Sequence, residues 1–235
     1  MRTLASSLVL AFILLYVSAG CDSGVDVPEP IAPLISFAAG DMWVLEEVIQ
    51  LNGHVNAPCL DTFVTRIDTV IGGEPWFIAE DRHGLSIPFG SLGERGHVVS
   101  WREDGLWRLG EDGTTERILP YPMAEGTVLV LADGTTMTLT DMDASYTLPD
   151  LRVVESVVYT RALPEGYVPF ATEPPQWYAG YPLDSTVTMA SHYAPGIGAV
   201  RIEQAMIAPV TDLERWIVVG QRTWELVAFI PAGAN

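Results

Sequence analysis

Val128-Leu-Val-Leu-Ala-Asp-Gly-Thr-Thr-Met-Thr-Leu-Thr140 is the stretch that decides the fold. A short apolar run meets Asp133-Gly134, a favoured hairpin turn. It leaves as an alternation in which Met137 and Leu139 point one way and Thr136, Thr138 and Thr140 the other. A period of two with β-branched residues on the wet side marks a half-buried strand.

The same unit recurs on both sides of it. Met42–Gln50 is a strand-length apolar segment that ends at Asn52-Gly53, and Thr62–Val70 alternates. Gly72-Gly73 turns the chain into Trp76–Glu80. His97–Arg102, Asp104-Gly105 and Leu106–Leu109 form another hairpin, and Asp112-Gly113 precedes Thr115–Leu119. Leu151–Thr160 is a further strand. Val187–Tyr193 and Ala199–Ala205 flank Pro195-Gly-Ile-Gly198, and Trp216–Val219 with Thr223–Ile230 reads as a last hairpin across Gly220-Gln221. No useful window holds a helical period, although 210–216 has room for one turn. The spacing predicts an all-β fold, a single antiparallel meander domain over 37–235 whose curled sheet forms a sandwich or a partly open barrel.

The N-terminus reads differently. Arg2 precedes the apolar run Leu8–Val17, too short to span a bilayer, which needs ~20 residues. Small residues Ser18-Ala19-Gly20 then lead into Cys21. Residues 1–20 have the layout of an export signal. Ala19-Gly20-Cys21 resembles the lipobox of bacterial lipoproteins, with Ser18 where an aliphatic residue is usual. The resemblance implies a lipid-modified Cys21 as the mature N-terminus. Residues 21–36 then form a lipidated start and flexible tether. Pro28, Pro30 and Pro33 favour extended polyproline geometry, enough to hold the domain roughly 30–40 Å off the membrane.

Composition bounds the partners. The chain carries 30 acids against 12 basic residues, all of them arginine, for a formal net charge of −18. Such a surface repels nucleic acid and anionic head groups, so no nucleic-acid partner is expected. The acid excess and lack of lysine look like salt adaptation, because molar salt shortens the Debye length to about 3 Å and screens self-repulsion. An acidic surface for cations is the alternative.

No constellation carries chemistry. With Cys21 lipidated, Cys59 stands alone and is expected to be a half-buried, inert thiol. His54, His83, His97 and His192 are scattered without metal spacing, and Asp141-Met-Asp143 reads as turn polarity. Glu46 and Glu47 point to opposite faces of a strand. Phe89-Gly-Ser-Leu-Gly93 has the wrong spacing for a nucleophile elbow. No catalytic residue, metal site or cofactor is assigned. The exception to the short-turn pattern is 162–185. It interleaves five prolines with Tyr167, Phe170, Trp177, Tyr178 and Tyr181. These aromatics are either a contact surface or an Ω-loop that plugs the open end of the sheet.

Several segments, in order, resemble a family of uncharacterised bacterial lipoproteins and secreted proteins. They are Phe37-Ala-Ala-Gly-Asp-Met-Trp43, Ile71-Gly-Gly-Glu-Pro-Trp-Phe-Ile78, Arg102-Glu-Asp-Gly-Leu-Trp107 and Tyr193-Ala-Pro-Gly-Ile-Gly-Ala-Val200. The resemblance implies a β-rich envelope domain and supplies no catalytic residue. The leading expectation is a lipid-anchored bacterial cell-envelope protein, periplasmic or surface-facing, whose β-domain serves interaction or structure with an envelope partner. The alternative is a periplasmic carrier of a lipid or small hydrophobic ligand, and the second alternative a hydrolase with a dispersed site. Replacing the lipid attachment point tests the anchor: Cys21→Ser is expected to move the protein from the membrane fraction to the soluble fraction, read by fractionation and by the mass of the native N-terminus.

Overall fold

The computed structural model describes residues 32–80, 98–110, 112–131, 134–168 and 180–234. It is all-β. The strands are β1 (Met42–Leu51), β2 (His54–Val55), β3 (Cys59–Ile71), β4 (Glu74–Glu80), β5 (Val98–Arg102), β6 (Gly105–Leu109) and β7 (Thr115–Pro120). They continue as β8 (Val128–Val130), β9 (Thr136–Thr147), β10 (Val153–Leu163), β11 (Val187–Ala194), β12 (Gly198–Val210) and β13 (Arg215–Ile230). All belong to one antiparallel sheet with the order β7-β6-β5-β4-β3-β1-β13-β12-β11-β10-β9-β8, and β2 adds to β1 beside this path. No helix among the described residues is long and apolar enough to cross a membrane.

The hairpin that announced the fold forms as its alternation requires. Val128 pairs with Thr138 and Val130 with Thr136, while Met137 and Leu139 are buried. The last hairpin does not form. Residues 215–230 are one continuous strand, and the turn expected at 210–216 is a single 3-10 turn over Thr211–Leu213 before it. Gly220 lies inside β13, opposite Met206 at a bulge. A Cβ there would collide with the Gln50 carbonyl of β1. The glycine serves close backbone approach, not a turn.

The meander is zipped at its ends. The first long strand pairs with the last, from Met42↔Ile230 to Leu51↔Gly220. β3–β7 continue on one flank and β12–β8 on the other, so the two free edges, β7 and β8, follow one another in sequence. The sheet curls so that the two flanks share one core, with no ladder joining β7 to β8. Leu119 and Tyr121 enter the same buried cluster as Met137, Leu139 and Tyr159. The Tyr159 hydroxyl donates to the Pro120 carbonyl at 2.6 Å, and the Gly126 N–H to Leu139 O at 2.8 Å.

The interior is filled partly from outside the sheet. Leu34 and Ile35, within the expected tether, are 0% and 1% exposed and lie against Trp43, Leu45 and Phe63. Phe37 stacks on Phe77 with centroids 5.4 Å apart. The Gly196 N–H donates to Pro33 O at 2.9 Å, and the Trp43 indole N–H to Ile197 O at 2.7 Å. Gly198 makes room: with φ +97°, its missing Cβ would lie 3.4 Å from Ile35 and 3.5 Å from the Trp43 nitrogen. Residues 33–37 thus form a strap across the interior and belong to no strand. Burying each aliphatic side chain contributes about 1.5–3 kcal/mol, while ordering each strap residue costs about 1–2 kcal/mol, so gain and cost are of similar size.

Asp41 fastens the strap to the end of the chain. Its carboxylate, 3% exposed, accepts the Ala38 N–H at 2.6 Å and the Ala232 N–H at 2.7 Å. Asp41→Ala leaves both donors without that acceptor and is expected to destabilise by about 2–4 kcal/mol in urea melts. Asp41→Asn, which keeps one acceptor, is expected to lose less.

Candidate functional site

Cross-strand register sorts the side chains of β10–β13 onto two faces. One row, Tyr159–Ser191–Ile202–Trp224–Glu47–Cys59, lies on the interior face and runs from the packed core to the exposed thiol of Cys59. The opposite face carries Val158–His192–Arg201–Glu225–Glu46 and, one step along, Thr160–Ala190–Glu203–Thr223. Glu46 and Glu47 therefore do face opposite ways.

A groove of about 410 Å³ opens on this second face. Thr160, Thr188, Ala190, Ala205 and Gly220 contribute small residues to its lining, with Glu203, Gln204, Gln221, Met189 and Val218. Its size lies within the range of small-ligand clefts. The lining includes hydroxyls, amides and one carboxylate, but no basic side chain. Small residues on adjacent strands leave the depression, and bulges in β11–β12 and β12–β13 bend its walls.

The two ends of the groove differ. At one end Arg201 holds Glu203 at 2.6 and 2.9 Å and Glu225 at 2.8 Å, so the carboxylate in the groove is neutralised. His192 sits beside this ion triad, 6.4 Å from the Tyr146 ring. Burial chiefly, with the Arg201 charge, holds the imidazole below its usual pKa, against the opposing pull of Glu203 and Asp141. Its Nδ1 is buried and has no hydrogen-bond partner among the described residues. At the other end Met189 and Ala205 pack on a second apolar cluster of Leu163, Leu183, Val187 and Trp216, which Tyr167 and Tyr181 also join. There the 162–185 connection folds back on β13: Leu183 N–H donates to Tyr167 O at 2.8 Å and Trp216 N–H to Pro182 O at 2.8 Å.

The interior row ends in a second charged set. Glu47 meets Arg222 at 2.9 Å, and that guanidinium lies 5.2 Å from the centre of the Trp224 ring. Burial pushes the Glu47 carboxyl above its usual pKa; Arg222 opposes the shift and Asp61 adds to it.

Tyr167 and Tyr181 are half-buried against the Leu163, Leu183, Val187 and Trp216 cluster and do not line the groove. Phe170, Trp177 and Tyr178 lie outside the described residues, as do Cys21, His83 and His97. Among the described residues no three His, Cys, Asp or Glu side chains could hold a metal. Asp141 accepts the Asp143 N–H at 2.9 Å, but both residues lie inside β9 beside a bulge against β10 and not in the turn their polarity suggested. The groove itself has no sequence signature, since its residues come from four strands whose register only folding sets.

No family model matches the chain, and no curated protein matches it. Two solved structures show similarity. One is a DUF1329 family protein from Desulfovibrio piger, at TM-score 0.24 and 10% identity, covering 85% of this chain and 88% of that one. The other is a putative outer membrane lipoprotein-sorting protein domain from Vibrio parahaemolyticus, at TM-score 0.22 and 9% identity, covering 86% and 89%. At such distances neither lends a residue role to this chain.

The lowered His192 pKa has a sign. The unfolded chain takes up its proton near pH 6.5 and the folded chain only at lower pH, so this contribution to stability is present above about pH 6.5 and lost as pH falls through the folded value. His192→Gln is expected to reduce the stability difference between pH 7.5 and pH 5, read from urea midpoints.

Proposed function

We propose that this is a non-catalytic, lipid-anchored bacterial envelope protein whose β-domain binds a partner protein through the β10–β13 groove. Cys21 is its lipid attachment point, and the domain works at the membrane face, in the periplasm or at the cell surface. The aromatic set Tyr167, Phe170, Trp177, Tyr178 and Tyr181 is a second candidate contact surface, with the aromatic enrichment typical of anchoring positions.

One observation carries this reading above the carrier. The interior, where an open carrier would keep space for its ligand, is filled by the protein's own Leu34 and Ile35, whereas the opposite face is open at the groove. The dispersed-hydrolase reading gains no such support, because His192 lies beside an arginine and paired carboxylates without a nucleophile. A groove without basic lining in a chain of net charge −18 suits a neutral or cationic partner segment.

Filling the groove tests this. Ala190→Trp occupies it without touching the interior face. In-cell cross-linking from Thr188 is expected to recover an envelope partner from the parent protein and to lose it, by on the order of tenfold, in the filled variant. Unchanged recovery with Ala190→Trp, its melting temperature intact, would contradict the proposal.

A further inference from the structure

The strap is the part of the molecule the groove does not explain. Leu34 and Ile35 are as buried as any core residue, yet they come from a segment that no ladder holds. They lie in the same cluster as Trp43, Phe63 and Leu226. Gly198 leaves room where Ile35 and Trp43 meet.

Burial and ordering nearly cancel in such a segment, so what keeps it seated is a few end contacts, the Gly196–Pro33 and Ala38–Asp41 hydrogen bonds and the Phe37–Phe77 stack, together with the void its departure would open. An apolar void of that kind stays dry and takes apolar guests. An alkyl chain matching the Leu34 and Ile35 side chains would remove the void penalty and leave only those end contacts to hold the strap.

We propose that the interior beneath Pro33–Phe37 is a latent binding site for a single free aliphatic chain, with the strap as its gate. This site is separate from the groove and does not rest on the function proposed for it. Coupling is reciprocal: a guest that binds only the strap-free state releases the strap, and whatever draws on the tether admits the guest. The guest is neutral at its head, because the acidic chain disfavours a carboxylate.

Thiol protection reads the gate. The mature chain with Cys21→Ser and Cys59→Ser receives one reporter, Ile35→Cys in the strap or Leu139→Cys in the sheet, and is labelled with N-ethylmaleimide while 1-decanol is titrated. The proposal expects labelling of Ile35→Cys to accelerate about tenfold or more and to saturate, the response of a guest that binds one state only. Labelling of Leu139→Cys is to stay unchanged or slow. Leu34→Ala in the Ile35→Cys chain is to shift the decanol midpoint to lower concentration. Equal acceleration at both reporters means general loosening and overturns the proposal, as does no acceleration at Ile35→Cys.

Discussion

The backbone ladder between β1 and β13 is the constraint on which the rest depends. It joins residues 42–51 to 220–230, so the beginning and the end of the domain become the centre of the sheet. Each flank is then a run of sequence-adjacent antiparallel strands, most joined by short turns, with longer connections between β4 and β5 and between β10 and β11. Without the central ladder there would be two separate meanders, each with a second edge exposed and neither able to close a core. Gly220 matters for this reason: it lets the two central backbones approach at the bulge where a side chain would hold them apart.

Curling gives the two faces different physics. Inside, side chains from both flanks and the strap converge on Trp43, Phe63 and Tyr159; the Trp43 indole and the Tyr159 hydroxyl bond to backbone carbonyls, while the Trp224 indole N–H has no partner among the described residues. Outside, the same strands show threonines, small residues and arginine–carboxylate pairs. The pairs Arg66–Glu80, Arg108–Glu116 and Arg117–Asp104 are all partly exposed and contribute little each, and less as salt rises. Arg102 is held differently. It lies between the Trp76 and Trp107 rings at 5.0 and 4.9 Å and makes a forked bond to Glu74, contacts that salt screens less. Such stacking suits arginine better than lysine, which this chain does not use.

The hairpins were legible because their information is local. Asp133-Gly134 with Met137 and Leu139 alternating is enough to set strand, turn and buried face. The single turn between the last two strands was legible for the same reason. What stayed hidden is non-local. Gly220 in sequence looks like any turn glycine, and only the nearness of Gln50 shows that it sits mid-strand. Leu34 and Ile35 lie among prolines in a stretch that reads as linker, and nothing in their neighbourhood announces the interior they fill. The groove was invisible because Thr160, Ala190, Glu203 and Gln221 meet by register alone. Tyr167 and Tyr181 were visible as unusual, and both pack half-buried on the cluster of Leu163, Leu183, Val187 and Trp216.

The account stands on the central ladder being the most stable element of the molecule. Native-state hydrogen exchange, resolved residue by residue, tests it directly. Amides in β1 and β13 should exchange only with global unfolding, while those of β7 and β8 at the free edges should open locally and earlier. If β1 and β13 exchange at the rate of the edges while either outer meander remains protected, the sheet is not held at its centre and the account is wrong.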